Sequence, residues 1–351
     1  MRTNLSPARR KNLAEAAALW GGVFRGNLRS RADIVEALST SDFQVATGDM
    51  LDRELLSRYE ALPTQWQRFA KRTTVKDFKV KNFIALGSGL ASLELVPELS
   101  EYPADKLDST KYPISAKKYG KRFAISWEQV INDDLGEYED LPDLLAQAAR
   151  NSEDRAAAEI LAQANGVNTA FFKAANGNAP TALPLTRENL QTALSAISTR
   201  KDPDGNPFRV RGFVLVVPPA LEAQANAILS ATEVRETVDG VTTIRTNDLQ
   251  GKVSVAVNDW LPVVNTSAKA NTTWYIVPDP NGPRVAVAVA FLRGHEQPDL
   301  RLQNATGVRV GGGNIDPFDG SFEIDDIQYR VRHPHGAAGI DPLGTYASTG
   351  S

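Results

Sequence analysis

Cysteine is absent from this sequence of 351 residues, which excludes disulfides, thiolate nucleophiles and cysteine-bound metal ions. Histidine is scarce, with three residues that all follow position 294, so chemistry centred on histidine has little support. No run of apolar residues approaches the ~18 that a membrane span requires. The formal net charge is −3, whereas a dedicated nucleic-acid-binding protein normally has a strong basic excess. Composition therefore predicts neither a membrane protein nor a specialised nucleic-acid binder.

The residues that could carry catalysis or bind metal form only weak patterns. His333 and His335 have H-x-H spacing, but no carboxylate or cysteine follows at ligand spacing. The run Gly311–Gly313 lacks the Lys-Ser/Thr that completes a phosphate-binding loop. The carboxylates of Asp133 and Asp134 fit a turn or a helix cap. We therefore predict no catalytic, cofactor or metal site and interpret the chain as a structural or interaction protein. An enzyme with an unrecognised site is an alternative.

A long helix is predicted between Leu141 and Ala164, where small and apolar residues recur with a period near ~3.6. Asp140 can cap its start, and Asn165-Gly166 is a typical stop signal. Such a helix is roughly twice the usual ~11–12 residues of globular helices. Its polar face carries the charged residues Arg150, Glu153, Asp154, Arg155 and Glu159. This face is either solvated or partly covered by neighbouring subunits.

A β ribbon with basic strands and an acidic middle is predicted between Trp66 and Ile125. Polarity alternates over Thr73–Ile84, a short strand follows at Leu93–Val96, and the alternation resumes at Tyr119. A two-stranded ribbon of this kind buries too little apolar surface to be stable alone. We therefore predict an arm that packs on a neighbouring subunit. The alternative is an ordinary exposed hairpin of a monomer.

A compact α/β region with a mixed sheet is predicted over residues 185–293. Thr186 caps one helix, Pro218-Pro219 opens another, and the buried strand Phe213–Val217 lies between them. The stretch VDGVTTI indicates a hairpin with an Asp-Gly turn. Further strands are predicted at Val253–Val257, Trp274–Val277, Arg284–Leu292, Ser321–Ile324 and Ile327–Arg332. The tail from Gly336 is predicted to be loop.

Four stretches, taken in their order along the chain, carry a family resemblance. They are KRFAISWEQVINDDLG (Lys121–Gly136), VLVVPPALEAQANAIL (Val214–Leu229), WYIVPDPNGPRVAVAVAFLRGHEQPDL (274–300) and SFEIDDIQYRVRHPHGAAGIDPLG (Ser321–Gly344). Together with the Ala-rich helix after the first stretch, they resemble the major capsid proteins of tailed bacteriophages, including the Mu-like head subunits. The resemblance covers roughly Trp66–Gly344 and lies in the architecture as well as in these diffuse motifs.

The resemblance implies the α+β fold of tailed-phage major capsid proteins. By position, Thr73–Lys121 corresponds to the extended loop of that family and Asp140–Gly166 to its spine helix. Five regions follow from this correspondence. They are an N-terminal arm (1–65), an extended β loop with the strands leading into it (66–126), a peripheral domain with the spine helix (127–184), an axial domain (185–293), and return strands of the peripheral domain with a C-terminal tail (294–351). The arm is basic up to Arg31, which favours either a solubilising role or contact with a polyanion or a partner chain.

The same resemblance implies a shell subunit that forms pentamers and hexamers of an icosahedral head around double-stranded DNA. Its partners would be further copies of itself and scaffolding, portal and decoration proteins, with non-specific proximity to DNA and no membrane contact. It would be assembled in the host cytoplasm and located in the virion. The shell protein of a cellular encapsulating nanocompartment is an alternative with the same fold. Intersubunit contacts are predicted at Lys79, Lys81, Glu94, Glu98, Glu101, Lys117, Lys118, Lys121, Arg122, Arg150, Glu153 and Arg155.

Overall fold

The computed structural model describes residues 52–86, 109–126, 141–201, 212–231, 233–238, 241–303 and 321–350, with a few positions between these ranges. The helices are α1 (52–61), α2 (Leu141–Leu161), α3 (Arg187–Ser198), α4 (Glu222–Ser230) and α5 (Leu261–Val264). The strands are β1 (Lys71–Val75), β2 (Lys81–Leu86), β3 (Ser109–Ile114), β4 (Lys117–Ser126), β5 (Ala162–Gln163), β6 (Gly166–Val167), β7 (Phe213–Val217), β8 (Glu233–Val238), β9 (Val241–Thr246), β10 (Val253–Val257), β11 (Trp274–Pro278), β12 (Val287–Leu292), β13 (Asp299–Leu302), β14 (Asp326–Gly339) and β15 (Tyr346–Ser348). This mixture of helix and sheet confirms the predicted α+β class.

The chain divides into two compact units, each built from three segments. The first unit takes in the described residues of Met1–Pro63, Lys118–Asn151 and Gly294–Pro334, and the second those of Thr64–Lys117, Ser152–Arg293 and His335–Ser351. Helix α2 and strand β14 each contribute residues to both units. The five regions implied by the family resemblance stay a prediction. Their boundaries come from that resemblance, whereas the two units are defined by contacts within the structure.

Helix α2 confirms the long helix predicted from the spacing of apolar residues. Small residues let other elements approach it closely, and Ala146 of the first unit and Ala157 of the second are fully buried. The helix ends at Leu161, three residues before the predicted end at Ala164, and the short hairpin of β5 and β6 follows it. Gly166 in this hairpin has a φ of 125°, a conformation that favours glycine. The predicted cap, Asp140, lies outside the described residues.

The first unit places three strands against two helices. Strand β14 pairs with β13 and with β4. One face of these strands packs on α1 and the beginning of α2, where Leu55, Tyr59, Leu145 and Val331 form a buried cluster. Leu55 and Tyr59 are four residues apart and therefore share the buried face of α1. The opposite face of the strands carries polar and charged side chains.

The second unit is centred on a mixed sheet with the order β10-β7-β11-β15. All residues of β7 are buried, because side chains on both of its faces are covered. On one face Leu215 packs with Leu190 of α3 and Leu229 of α4. On the other face Val216 belongs to a cluster that includes Trp66. The Thr186 hydroxyl accepts a hydrogen bond from the backbone N–H of Asn189, as predicted for the cap of α3.

Strand β12 is also buried on both faces but does not join the mixed sheet predicted for its region. It pairs in parallel with β1 and antiparallel with the end of β14. Val289 faces the cluster around Trp66, whereas Ala290 faces a second cluster with Val75 and Ile114. The strand begins at Val287, later than predicted. Its continuous apolar composition marks it as buried but carries no information about which sheet it enters.

Strands β2 and β3 form a two-stranded antiparallel sheet, with Lys81 opposite Ile114 and Leu86 opposite Ser109. The predicted ribbon is thus confirmed in these residues. The single strand predicted over Thr73–Ile84 is wrong, because residues 76–80 form bends between β1 and β2. Leu95 and Val96 are not in a strand, and the rest of the acidic middle lies outside the described residues.

The C-terminal part of the chain differs most from the prediction. The strand predicted at Ser321–Ile324 is wrong, because residues 322–324 form a turn. Strand β14 continues past Gly336 to Gly339. The glycine and alanine residues from Gly336 onward were predicted to form a loop, but in the structure their small size allows close packing. A Cβ at Gly336 would lie 2.2 Å from the backbone oxygen of Ser115, and one at Gly339 would lie 2.5 Å from the Phe171 ring. The predicted C-terminal loop is therefore wrong for β14 and β15.

Hydrogen bonds from polar side chains hold strand β15 and the residues before it in the second unit. The Arg200 guanidinium donates from Nη1 to the backbone oxygens of Leu343 and Thr345, each at 2.7 Å. Burial lowers the pKa of Arg200 from its usual value. The side-chain amide of Asn178 donates to the Thr345 hydroxyl at 2.8 Å, and Ser348 Oγ donates to the Leu183 oxygen at 2.7 Å. These bonds hold the residues after β14 in the core.

Replacing Gly336 with alanine is expected to lower the free energy of unfolding by about 1–3 kcal/mol, because the added methyl meets backbone and not a movable side chain. Chemical denaturation of the purified variant measures the change. Ser115→Ala is the matched control, since it leaves the contacting backbone oxygen in place and should change stability by less than about 0.5 kcal/mol. Equal stabilities of the Gly336 variant and the parent would contradict this account.

Candidate functional site

Most of the predicted contact residues lie on the surface of their own unit. The exposed ones are Lys79, Lys81, Lys117, Lys118, Lys121, Arg122 and Arg155. Glu94, Glu98 and Glu101 lie outside the described residues. Arg150 is half-buried and serves its own unit, because its Nε and Nη2 donate to the Tyr59 oxygen at 3.0 and 2.8 Å. Its guanidinium also stacks over the Tyr59 ring at 3.6 Å from the centroid.

The charged outer face predicted for α2 is wrong at two positions. Glu153 is 0% exposed, and its Oε2 accepts a hydrogen bond from the Trp66 indole N–H at 2.9 Å. Asp154 is also buried, and its Oδ1 accepts bonds from the backbone N–H groups of Gln65 and Trp66 at 3.1 and 2.8 Å. Buried carboxylates need such partners. Glu153 therefore has no exposed surface for the intersubunit contact predicted there, whereas Arg155 remains on the surface.

Apolar side chains are exposed where the chain enters the ribbon. Phe78 is 51% exposed and Val80 66% exposed, and they alternate with the exposed lysines at 79 and 81. The base of the ribbon is buried, since Ile114 belongs to the core cluster beside β12. The described part of the ribbon thus has an anchored base and an exposed, partly apolar and basic entry. Surfaces of this composition are typical of protein contacts.

A second surface lies on the polar face of the strands in the first unit. Arg122 of β4, Arg301 of β13 and Arg330 of β14 line a cleft of about 310 Å³ together with Gln303 and Gln328. Arg301 and Arg330 are directly opposite each other across the two strands. We call this set the arginine cleft. Sequence reasoning predicted a contact at Arg122 but missed the cleft, because its residues are far apart along the chain.

Two acidic residues adjoin the cleft. Asp299 Oδ2 accepts hydrogen bonds from Arg301 Nε at 2.9 Å and from Arg332 Nη2 at 2.6 Å. Asp326 accepts bonds from the Ser321 hydroxyl and from the Gln328 amide. These hydrogen bonds, from Ser321 first, and the positive charge of Arg122 lower the pKa of Asp326. Both carboxylates therefore already have hydrogen-bond partners within the unit.

Among the residues that the structure describes, no group of three or more His, Asp or Glu side chains is placed to hold a metal ion. In the same residues no helix has the length and hydropathy needed to cross a bilayer. The entry of the ribbon and the arginine cleft are two candidate contact surfaces in this part of the chain.

The comparison with protein families decides the identity of the chain. A model of the phage capsid protein family matches residues 110–348, which is more than half of the sequence. The chain belongs to the phage capsid protein family. The resemblance seen in the sequence is thereby confirmed at the level of the family. The protein is a capsid shell subunit, and its place is in the capsid of the virion.

Solved structures similar to this capsid protein include three shells. The capsid of the cyanophage P-SCSP1u is 14% identical over 82% of this chain and 88% of that one, with a TM-score of 0.49. The capsid of a native GTA particle is 14% identical over 82% and 91%, with a TM-score of 0.47. The holo-SrpI encapsulin complex of Synechococcus elongatus is 12% identical over 82% and 88%, with a TM-score of 0.45. No curated protein matches the chain.

Members of this family are structural proteins, and capsid assembly requires that subunits associate with each other. Self-association therefore belongs to the function of this chain. The entry of the ribbon and the arginine cleft are candidate surfaces for this association.

Proposed function

We propose that this capsid protein assembles as pentamers and hexamers into the icosahedral head of a tailed phage, around packaged double-stranded DNA, and has no catalytic role. The observation that carries this proposal is the ribbon of β2 and β3. Its strands pair only with each other in the described part of the chain, and the segment that leads into it exposes Phe78 and Val80 to solvent. A ribbon of two strands is marginal without further contacts.

The base of the ribbon explains why it can act as an arm. Ile114 and Ala116 are buried in the second unit, so the ribbon starts from a fixed point. Lys81, which lies opposite Ile114 at this base, and Lys111, farther along β3, are both exposed. A neighbouring subunit would cover the apolar residues at the entry and pair with the lysines. Burying Phe78 and Val80 in this way contributes to association at about 25 cal/mol per Å² of apolar surface.

The proposal extends to the partners of an assembled head. Scaffolding, portal and decoration proteins would contact the shell through exposed surfaces, and packaged DNA would lie close to its inner side without specific binding. A net charge of −3 agrees with that arrangement, because a strongly basic lining would bind DNA phosphates tightly and in a salt-dependent way.

The test is assembly of the purified full chain, observed by negative-stain electron microscopy while protein and salt concentrations are varied. We expect rings, capsomers or closed shells, and a sedimentation profile dominated by large species at high protein concentration. A chain that stays monomeric and compact under all of these conditions would contradict the proposal. Particles isolated from the producing cell should protect double-stranded DNA from nuclease, whereas an enclosed enzyme would favour a nanocompartment.

A further inference from the structure

The arginine cleft holds more positive charge than its own unit neutralises. Asp299 is shared by Arg301 and Arg332. Within the described residues, Arg122 and Arg330 form no ion pair, although the charge of Arg122 acts on a carboxylate beside the cleft. Arg330 also lies directly opposite Arg301, and like charges in that position repel each other. An anion bound between the strands would remove this repulsion.

The guanidinium groups of the cleft extend from strands that are held by packing. Arg122, Arg301 and Arg330 belong to the neighbouring strands β4, β13 and β14, and their side chains line one cleft. Tyr329 and Val331 alternate with Arg330 along β14 and are buried in apolar clusters. This packing fixes the backbone positions of the arginines, which lowers the cost of ordering them around a ligand.

The charge of the cleft indicates the class of anion. In the part of the chain that the structure describes, the cleft and the hydrogen-bonded groups beside it comprise four guanidinium groups and two carboxylates. At formal charges, two positive charges remain. A phosphate monoester carries about −1.5 to −2 at neutral pH and offers three acceptor oxygens. A carboxylate, or one phosphate of the DNA backbone, carries a single negative charge. The balance therefore favours a phosphate monoester.

The borders of the cleft favour a compact ligand. Its volume of about 310 Å³ lies at the lower end of the ~300–1,000 Å³ that is typical of sites for small molecules. Asp299 and Asp326 adjoin the cleft, and their carboxylates would repel the further phosphates of an extended chain. Gln303 also lines the cleft, and its side-chain amide can bond to a hydroxyl group of a ligand. These borders suit a small phosphate compound better than a DNA duplex.

We propose that the arginine cleft is a binding site for a small phosphate monoester, such as a nucleoside monophosphate. The guanidinium groups of Arg122, Arg301 and Arg330 donate to the phosphate oxygens, for which the planar fork of arginine is well suited. Binding removes the repulsion between Arg301 and Arg330 and stabilises the pairing of β13 with β14. The site lies within one unit of one subunit, so it does not depend on the proposed assembly.

Nucleotide binding provides the first test. Equilibrium dialysis of radiolabelled deoxyadenosine monophosphate against the purified full chain measures affinity at constant ionic strength. We expect Arg122→Gln/Arg330→Gln to bind at least about tenfold more weakly, because hydrogen bonds to a charged group are lost. Arg122→Lys/Arg330→Lys keeps both charges but loses the planar donors, and its affinity should be intermediate. Lys173→Gln, an exposed charge change in the second unit, is the matched control and should bind as the parent does. Equal affinities of the parent and the glutamine variant would overturn the proposal.

Thermal unfolding provides the second test, with inorganic phosphate as the probe. Sodium phosphate should raise the Tm of the parent above its value in sodium chloride of the same ionic strength, since a ligand that binds only the folded state stabilises it. Without phosphate, Arg330→Gln should unfold at the same temperature as the parent or at a higher one, because the repulsion from Arg301 is gone. Its Tm should respond less to phosphate. A variant that is less stable than the parent without phosphate, or that gains as much from phosphate, would contradict the proposal.

Competition separates a phosphate monoester from the DNA backbone. Inorganic phosphate should displace the labelled nucleotide, whereas a short duplex without terminal phosphates offers only diesters and should displace it less well at equal phosphate concentration. Stronger displacement by the duplex would assign the cleft to nucleic acid. A parent chain that binds neither probe, together with a glutamine variant that no longer assembles, would assign the cleft to contact between subunits. Either result would show that the proposal is wrong, whereas failure of the parent to assemble would contradict only the proposed function.

Discussion

A subunit in which residues 87–108 are replaced by Asn-Gly is expected to fold normally and to form no stable shells. Leu86 and Ser109 are paired across β2 and β3, so a two-residue turn can join them without changing the register. Ile114 and Ala116 stay in place, and the core cluster beside β12 is retained. The variant keeps the exposed residues at the entry of the ribbon and loses residues 87–108, the part of the arm that would reach farthest onto a neighbour. Circular dichroism measures folding, and electron microscopy with sedimentation measures assembly.

The position of these core residues decides how the deletion should be made. Removing Lys81–Lys117 as a whole would also delete Ile114 and Ala116, and loss of folding would then be confused with loss of assembly. A variant in which residues 87–108 are replaced by a Gly/Ser linker of equal length is the matched control for chain length. It should also fail to assemble. Shells of normal yield and size from either variant would refute the assignment of the ribbon as an assembly arm.

The second large effect is expected at Trp66, which is fully buried against α2. Trp66→Ala should lower the free energy of unfolding by about 3–5 kcal/mol, because it leaves a large cavity. It also removes the indole N–H that donates to Glu153, which then remains buried with one bond fewer. Chemical denaturation followed by circular dichroism measures the loss. The variant should accumulate in the insoluble fraction at elevated temperature.

Substitutions of the partner residues separate packing from hydrogen bonding. Trp66→Phe retains most of the ring volume and should cost about 1–3 kcal/mol, because the buried Glu153 carboxyl group loses the indole N–H as a partner. Asp154→Asn keeps an acceptor for the two backbone N–H groups and should cost less than Asp154→Ala. Arg155→Ala is the control, since its ion pair with Glu159 is exposed and should be worth under about 1 kcal/mol. Equal effects of Trp66→Ala and Arg155→Ala would rule out this account.

Local patterns predicted the elements whose signals lie within a few residues. The spacing of apolar positions gave α2, the hydroxyl of Thr186 gave the start of α3, and the run of β-branched residues gave β7. These signals are local because helix capping and two-sided burial act on adjacent residues. Pairing between distant strands has no such signal. For that reason the continuous apolar run of β12 was recognised as a strand, while the sheet that it joins was not.

The errors in the prediction share a physical cause. Glu153 and Asp154 have the composition of a solvated face, but each has a partner from the segment around Trp66 that the sequence places far away. Gly336 has the composition of a loop, but its missing side chain is required by the backbone of Ser115. In both cases the residue type is explained by a contact with a residue that is distant in the sequence. Periodicity within the segment carries no information about such contacts.

The candidate surfaces were predictable to different degrees. The basic ribbon is visible in the sequence, because its lysines and its acidic middle lie in one stretch. The arginine cleft is not, since Arg122, Arg301 and Arg330 come together only when β4, β13 and β14 pair. An arginine on an exposed strand is ordinary by itself. Only the register that opposes Arg301 and Arg330 shows that charge of one sign is concentrated there.

The pairing of β1 with β12 sets a condition on synthesis of the subunit. Lys71 pairs with Ala288, and β11 pairs with β15 at Tyr346, so the two larger sheets to which the second unit contributes close over long stretches of chain. Contacts of this kind form late and slow the search for the native state. On the ribosome the second unit stays incomplete until Tyr346 has emerged. Until then the nascent chain exposes strand edges that are paired only in the finished subunit, and such edges are prone to aggregation.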